Sequence, residues 1–111
     1  MIVETVKPFQ NVKVQIFTNQ YLIYYAQGLG ARYIVRGIRD ESDYEYERAM
    51  RNVNGDLNPQ ITTVFLMPPR NLAEVSSSMV KGLIGPDGWE TLVKQYVPLS
   101  VFNAIKEAHH A

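Results

Sequence analysis

Apolar and polar residues alternate from Val12 to Phe17, where Val12, Val14 and Ile16 are separated by Lys13 and Gln15. This period-two pattern predicts a strand with one buried face. The period then changes: in "NQYLIYYAQGLGA" Leu22, Tyr25, Ala26 and Leu29 recur at spacings of three and four, a helical stripe, with Asn19 as its expected N-cap and Gly30 as its stop. "RYIVR" follows, with Ile34 and Val35 apolar in succession as in a strand buried on both faces. Ser42 and Glu45 have the S-x-x-E spacing of a capping box, which predicts a helix through "DYEYERAMRNVN" ending around Gly55. "ITTVFLM" is β-branched and aromatic, a third strand closed by Pro68 and Pro69. A helix starts in "SSSMVKGLIG", "PDG" is a turn, and "WETLVKQY" and "PLSVFNAIKEAHH" are two further helices. Strands alternating with helices predict an α/β fold of parallel βαβ units in one domain over 1–111, with a helical carboxy-terminal part.

Two loops leave strand ends in this order, and in an open parallel sheet that is the edge where ligands bind. The first is "RGIRDES": Arg36 ends a strand, Gly37 allows a tight or left-handed turn, and Arg39 precedes a helix start. Two guanidinium forks beside free helical N–H groups suit a phosphate. A solvated salt-bridge cluster fits the same residues, because Asp40, Glu41, Asp43, Glu45 and Glu47 follow closely. The second loop carries Ser76, Ser77 and Ser78 at a helix start, suited either to phosphate oxygens or simply to capping. Trp89 is expected as a hydrophobic anchor, and His109 and His110 as a fraying tail.

Composition narrows the chemistry. Eleven basic and eleven acidic residues in 111 give a formal net charge of zero, so broad attraction to nucleic acid or to a membrane surface is not expected and any anion site is local. Cysteine is absent, which excludes disulfide and thiolate chemistry. The only two histidines are terminal, leaving no metal constellation, and neither GxGxxG nor GxxxxGK[ST] occurs. No apolar run approaches the roughly 18 residues of a membrane span, and the amino terminus lacks signal-peptide character, so a cytoplasmic protein is expected.

The segments "IVRGIRDESDYEYERAMRNVN", "VFLMPP", "VSSSMVK" and "YVP" closely resemble the carboxy-terminal part of phosphopantetheine adenylyltransferase, a Rossmann-like nucleotidyltransferase family with an HxGH motif; the resemblance runs from about Val12 to Lys106. It implies transfer of adenylate from ATP to 4′-phosphopantetheine, giving dephospho-coenzyme A and pyrophosphate, with Mg²⁺ and without a covalent enzyme intermediate. By matching position it implies that Arg36, Leu22 and Asn54 contact phosphopantetheine or line its pocket. It likewise implies that Gly37, Ile38, Arg39, Glu47, Leu72, Val75, Ser76, Ser77 and Ser78 bind ATP, with Arg39 neutralising transition-state charge and Glu47 on the adenosine side. ATP, phosphopantetheine or coenzyme A are the implied ligands, and a homo-oligomer, the family's hexamer, the implied assembly. The HxGH segment, the first strand and a substrate-binding lysine have no counterpart in these residues. The expectation is therefore a domain missing its first βα unit, inactive or strongly impaired alone. The alternative is a non-catalytic nucleotide- or coenzyme A-binding or self-assembling remnant.

Overall fold

A computed structural model describes residues 1–110. It is mixed α/β and divides into two compact units, residues 16–73 and residues 1–15 together with those from Glu74 onward.

The unit of residues 16–73 holds a β–α–β element. Helix α2 (Leu22–Gly28) precedes strand β1 (Tyr33–Gly37), helix α3 (Glu41–Leu57) and strand β2 (Thr62–Leu66), and a 3-10 turn spans Arg70–Leu72; α1, given below, lies in the other unit. The strands are parallel, in the register Tyr33↔Thr62 to Gly37↔Leu66. A parallel pair needs a crossover of a dozen or more residues, and the 17 residues of α3 supply it. The core is small: Ile23 and Ala26 from α2 pack with Ile34 from β1 and Ile61 just before β2, flanked by Leu22 and Ala31. Helix α2 ends in a Schellman arrangement, in which Ala31 N–H donates to Ala26 O and Gly30 N–H to Gln27 O, both at 3.0 Å. That closure needs a left-handed residue, and Gly30 has φ 72°. Gly30 is therefore a stop, as its position in the helical stripe suggests.

Other local expectations are corrected. Val12–Phe17 lies outside any helix or strand, and Val12, Val14, Ile16 and Phe17 are all exposed, Ile16 at 90%. Alternation specifies two faces, but a strand also needs a neighbour to take its hydrogen bonds; β1 and β2 pair with each other, and among the described residues no third strand joins them. Asn19 does not cap α2: it is the one non-glycine residue with positive φ among those described, at 54°, and Tyr21 takes the N-cap position without a side-chain bond. Val35 is 60% exposed while Ile34 is buried, so β1 hides one face, not two. Helix α3 starts after Asp40, whose Oδ1 accepts from the Asp43 N–H at 2.8 Å, rather than at Ser42. Its last residue is Leu57, so Gly55 lies inside the final turn and does not end it. Gly37 sits in β1 without positive φ.

The other unit is helical. It contains α1 (Ile2–Val6), which the sequence pattern did not suggest, α4 (Ser77–Leu83), α5 (Trp89–Val93) and α6 (Leu99–His110). Val80, Trp89, Val93 and Phe102 form its core, with Val75, Met79, Leu83, Ile84, Val97 and Ile105 against them. Trp89 is the anchor its position predicts, being only 5% exposed. The expected fraying at the end is not found among the described residues, since α6 continues to His110 and the His109 ring meets Trp89 edge-on at 5.1 Å. Helix α1 is tied to α6 through the Thr5 and Ser100 hydroxyls, 2.7 Å apart, and Ser100 Oγ donates to Met1 O at 3.1 Å. No helix among the described residues is long and apolar enough to cross a membrane.

Candidate functional site

Side chains at i and i+2 share a strand face, so Arg36 follows the buried Ile34 on the same side of β1. There it meets Glu47, seven positions into α3. Arg36 Nε donates to Glu47 Oε2 at 2.9 Å and Nη2 donates to Oε1 at 2.8 Å, a bidentate fork. The carboxylate is almost hidden while the arginine is not: side-chain exposure is 9% for Glu47 and 43% for Arg36. Hydrogen bonding to Glu47 strengthens the hold of Arg36 on its proton, against a smaller opposing effect of burial. No buried side-chain nitrogen or oxygen among the described residues lacks a partner, so the pair satisfies Glu47 where it is.

A cleft of about 220 Å³ opens beside this pair. Leu22, Arg36 and Asn54, assigned to phosphopantetheine by resemblance, all line it, and so does Glu47. The resemblance had put Glu47 with ATP; in the structure its carboxylate is engaged by Arg36. Most of the remaining wall comes from one face of α3, with Tyr46, Met50, Arg51, Val53 and Leu57 at helical spacings, completed by Tyr21 and Thr63. From the sequence none of these residues was assigned to the site, Tyr21 and Tyr46 reading as packing residues. Their signal was present as the 47–50–54–57 spacing, but a mixed stripe of Glu47, Met50, Asn54 and Leu57 on a helix does not by itself separate a ligand wall from ordinary packing. A trough lined by apolar side chains together with two arginines, a carboxylate paired to one of them and an amide suits a flexible, largely neutral chain bearing an anionic end.

Arg39 is held at the first turn of α3. Its backbone N–H and its Nε both donate to Asp43 Oδ2, at 3.0 and 2.9 Å. Asp40 and Asp43 thus bracket the helix start, Asp40 accepting from Asp43 and Asp43 from Arg39. Both the side-chain and backbone donors of Arg39 hold the Asp43 carboxyl below its ordinary pKa. A carboxyl whose folded pKa is depressed contributes stability above its unfolded pKa, and that contribution is lost as pH falls through the folded value. An NMR titration should therefore place the Asp43 midpoint below about 3.9, the usual aspartate value, with Arg39→Ala moving it back up. A midpoint left low in Arg39→Ala would assign the shift to the backbone N–H of residue 39, which alanine keeps, and to the helix terminus instead.

Of the other residues matched to ATP binding, Ile38 donates its N–H to Leu66 O at 2.9 Å, extending the ladder past Gly37. A Cβ at Gly37 would meet nothing within 4 Å. Within the described chain, then, nothing requires glycine there, and the space beside it is open. Leu72 lies on the 3-10 turn, 41% exposed. Val75, Ser76, Ser77 and Ser78 belong to the helical unit. Ser76 is the N-cap of α4, its Oγ accepting from Met79 N–H at 3.1 Å, while Ser77 and Ser78 are exposed and Val75 packs on the core. Among the described residues no three His, Cys, Asp or Glu side chains gather as a metal cage.

No family model matches the chain. Individual relatives do. It is 54% identical over 109 residues to the phosphopantetheine adenylyltransferase of Neisseria meningitidis serogroup C, an alignment covering 98% of this chain and 64% of that protein. The serogroup B protein of the same name gives the same figures: 54% identity over 109 residues, 98% and 64%. To the phosphopantetheine adenylyltransferase of Chromobacterium violaceum it is 61% identical over 99 residues, 89% of this chain and 60% of that one. The chain is thus a homologue of the phosphopantetheine adenylyltransferases, spanning less than two thirds of the length of the relatives it matches.

Proposed function

We propose that this chain supplies the acceptor cleft and part of the nucleotide loops of an adenylyltransferase that joins ATP to 4′-phosphopantetheine. The observation that carries this reading is the convergence of Leu22, Arg36 and Asn54 on one cleft. The apolar wall takes the pantetheine chain, Asn54 meets its amides, and Arg36 holds the terminal phosphate. A phosphate oxygen of the acceptor attacks the α-phosphorus of ATP in line; the new P–O bond forms as the α–β bridging bond breaks, and pyrophosphate leaves with the electron pair. Positioning and charge neutralisation are what a protein contributes to such a step. Arg39 is the group assigned to the triphosphate, with Gly37 and Ile38 offering close backbone approach; the resemblance assigns Leu72 and, in the helical unit, Val75 to Ser78 to ATP as well. Mg²⁺ enters with ATP as part of that substrate. The setting is the cytoplasm, and the assembly a homo-oligomer.

Calorimetry with 4′-phosphopantetheine, and with pantetheine lacking the phosphate, tests the acceptor assignment. The wild-type chain should prefer the phosphorylated ligand, and Arg36→Ala should weaken its binding by about 10- to 100-fold while leaving pantetheine nearly unchanged, as for loss of a charge-assisted hydrogen bond. Equal binding of the phosphorylated ligand by wild type and Arg36→Ala would remove the assignment. A domain that only binds nucleotide or coenzyme A is the competing reading, favoured by the carboxylate partners that Arg36 and Arg39 already have.

A further inference from the structure

We infer that Glu47 is a positioning residue for the acceptor phosphate, acting through Arg36. This rests on the acceptor reading of the cleft and adds to it the reason the arginine is fixed. A guanidinium has five N–H donors in a planar fork. Glu47 takes Nε–H and one Nη2–H, the side-on edge, at 2.9 and 2.8 Å. Three N–H groups remain by subtraction, and two of them, one on each Nη, form the end-on edge. That edge is the second geometry in which arginine binds an oxyanion bidentately. Both residues line the cleft, so the plane that Glu47 fixes is the plane the phosphate would meet. The difference in exposure agrees with this division. A carboxylate 9% exposed is poorly placed to meet a ligand directly, whereas an arginine 43% exposed keeps an open edge.

Glu47 has a second, opposite effect on a bound phosphate. Its negative charge lies behind Arg36 and repels the ligand's charge. If charge compensation were its only action, removing it would tighten binding; if it positions the fork, removing it frees a flexible side chain that must be reordered at each binding event, and binding weakens. The direction of the change therefore decides between the two.

The experiment is calorimetry with 4′-phosphopantetheine and, separately, with ATP, on the wild-type chain, Glu47→Gln, Glu47→Asp, Arg36→Ala and the double variant Arg36→Ala/Glu47→Gln. NMR of the arginine Nε–H groups accompanies it. Glu47→Gln should weaken phosphopantetheine binding on the order of 10-fold. The double variant should be no weaker than Arg36→Ala alone. The Arg36 Nε–H resonance should be protected from exchange in the wild type, lost in Glu47→Gln and partly recovered in Glu47→Asp. Tighter or unchanged phosphopantetheine binding in Glu47→Gln would overturn the inference, as would a loss confined to ATP. Should Glu47→Gln not fold by circular dichroism, Glu47→Asp carries the same comparison. An Arg36→Ala variant with undiminished phosphopantetheine binding is a different failure, that of the acceptor reading, and the Nε–H protection would still report whether Glu47 orders Arg36.

Discussion

Trp89→Ala should destabilise the helical unit by about 3–5 kcal/mol, the cost of removing a large aromatic from a packed core. Trp89 is 5% exposed and packs in the same buried cluster as Val80, Val93 and Phe102. Its ring lies 6.3 Å from Phe102 and 5.1 Å from His109 by centroid, so truncation opens a cavity between α5 and α6. The backbone fixes the site from the other side: Gly88 enters the helix at φ 86°, and Trp89 N–H donates to Pro86 O at 3.0 Å, which limits how far the chain can collapse into the void. A loss of that size is comparable to the whole stability of a small domain, about 5–15 kcal/mol. In urea the far-UV circular dichroism midpoint should fall by about 2 M at an ordinary denaturant slope. Trp89 is the only tryptophan, so in the wild type its fluorescence reports this cluster directly. A midpoint within 0.5 M of wild type, roughly 1 kcal/mol at that slope, would mean the cluster is not what holds the unit together.

The elements that local spacing specifies were legible. Helix α2, the Gly30 stop, the two paired strands and the Trp89 anchor all follow from periods of two or 3.6 and from turn chemistry, although α2 buries Ile23 and Ala26 and leaves Leu29 of the expected stripe exposed. What failed depended on competition or on partners. Asp40 and Ser42 are both good N-caps two residues apart, and the extended backbone at Asp40, φ −151° and ψ −179°, together with the Asp43 N–H, decides for Asp40. Val12–Phe17 has strand alternation but no ladder, because pairing is a property of the sheet and not of the segment. For the site, the arginine pair at the end of β1 was conspicuous, yet its reading stayed divided between phosphate cradle and salt-bridge cluster. The structure gives each arginine a carboxylate, Glu47 for Arg36 and Asp43 for Arg39. The choice of Glu47 among five nearby acids is tertiary: it is the one whose helix face turns back to the strand. The same face brings Met50, Arg51 and Leu57 into the cleft wall, and a stripe that lines a ligand trough has the same period as one that lines a core.

That pairing limits what these residues can do alone. Transfer of adenylate concentrates negative charge on the triphosphate and on the acceptor phosphate, and stabilising it takes fixed positive groups aimed at the developing charge. The loop has two guanidinium groups, and carboxylates 2.8 and 2.9 Å away match each of them, so its formal charge with those partners is zero. Binding can tolerate this, since the end-on edge of Arg36 is not taken by Glu47. The chemical step tolerates it less, because a neutral loop does little to lower the energy of the added transition-state charge. Removing a single donor of this kind costs about 10²–10³ in rate. The relatives have over a third of their length beyond what this chain spans. A polypeptide of just these 111 residues, given ATP, Mg²⁺ and 4′-phosphopantetheine, should therefore release pyrophosphate at least about 10³-fold more slowly than the full-length Chromobacterium violaceum relative, the cost of one or two missing donors. Parallel calorimetry with 4′-phosphopantetheine separates lost chemistry from lost folding, because on the proposed reading a folded chain binds the acceptor. Turnover within 10-fold of the relative would sink the argument, since the two paired arginines and the serine loop would then suffice.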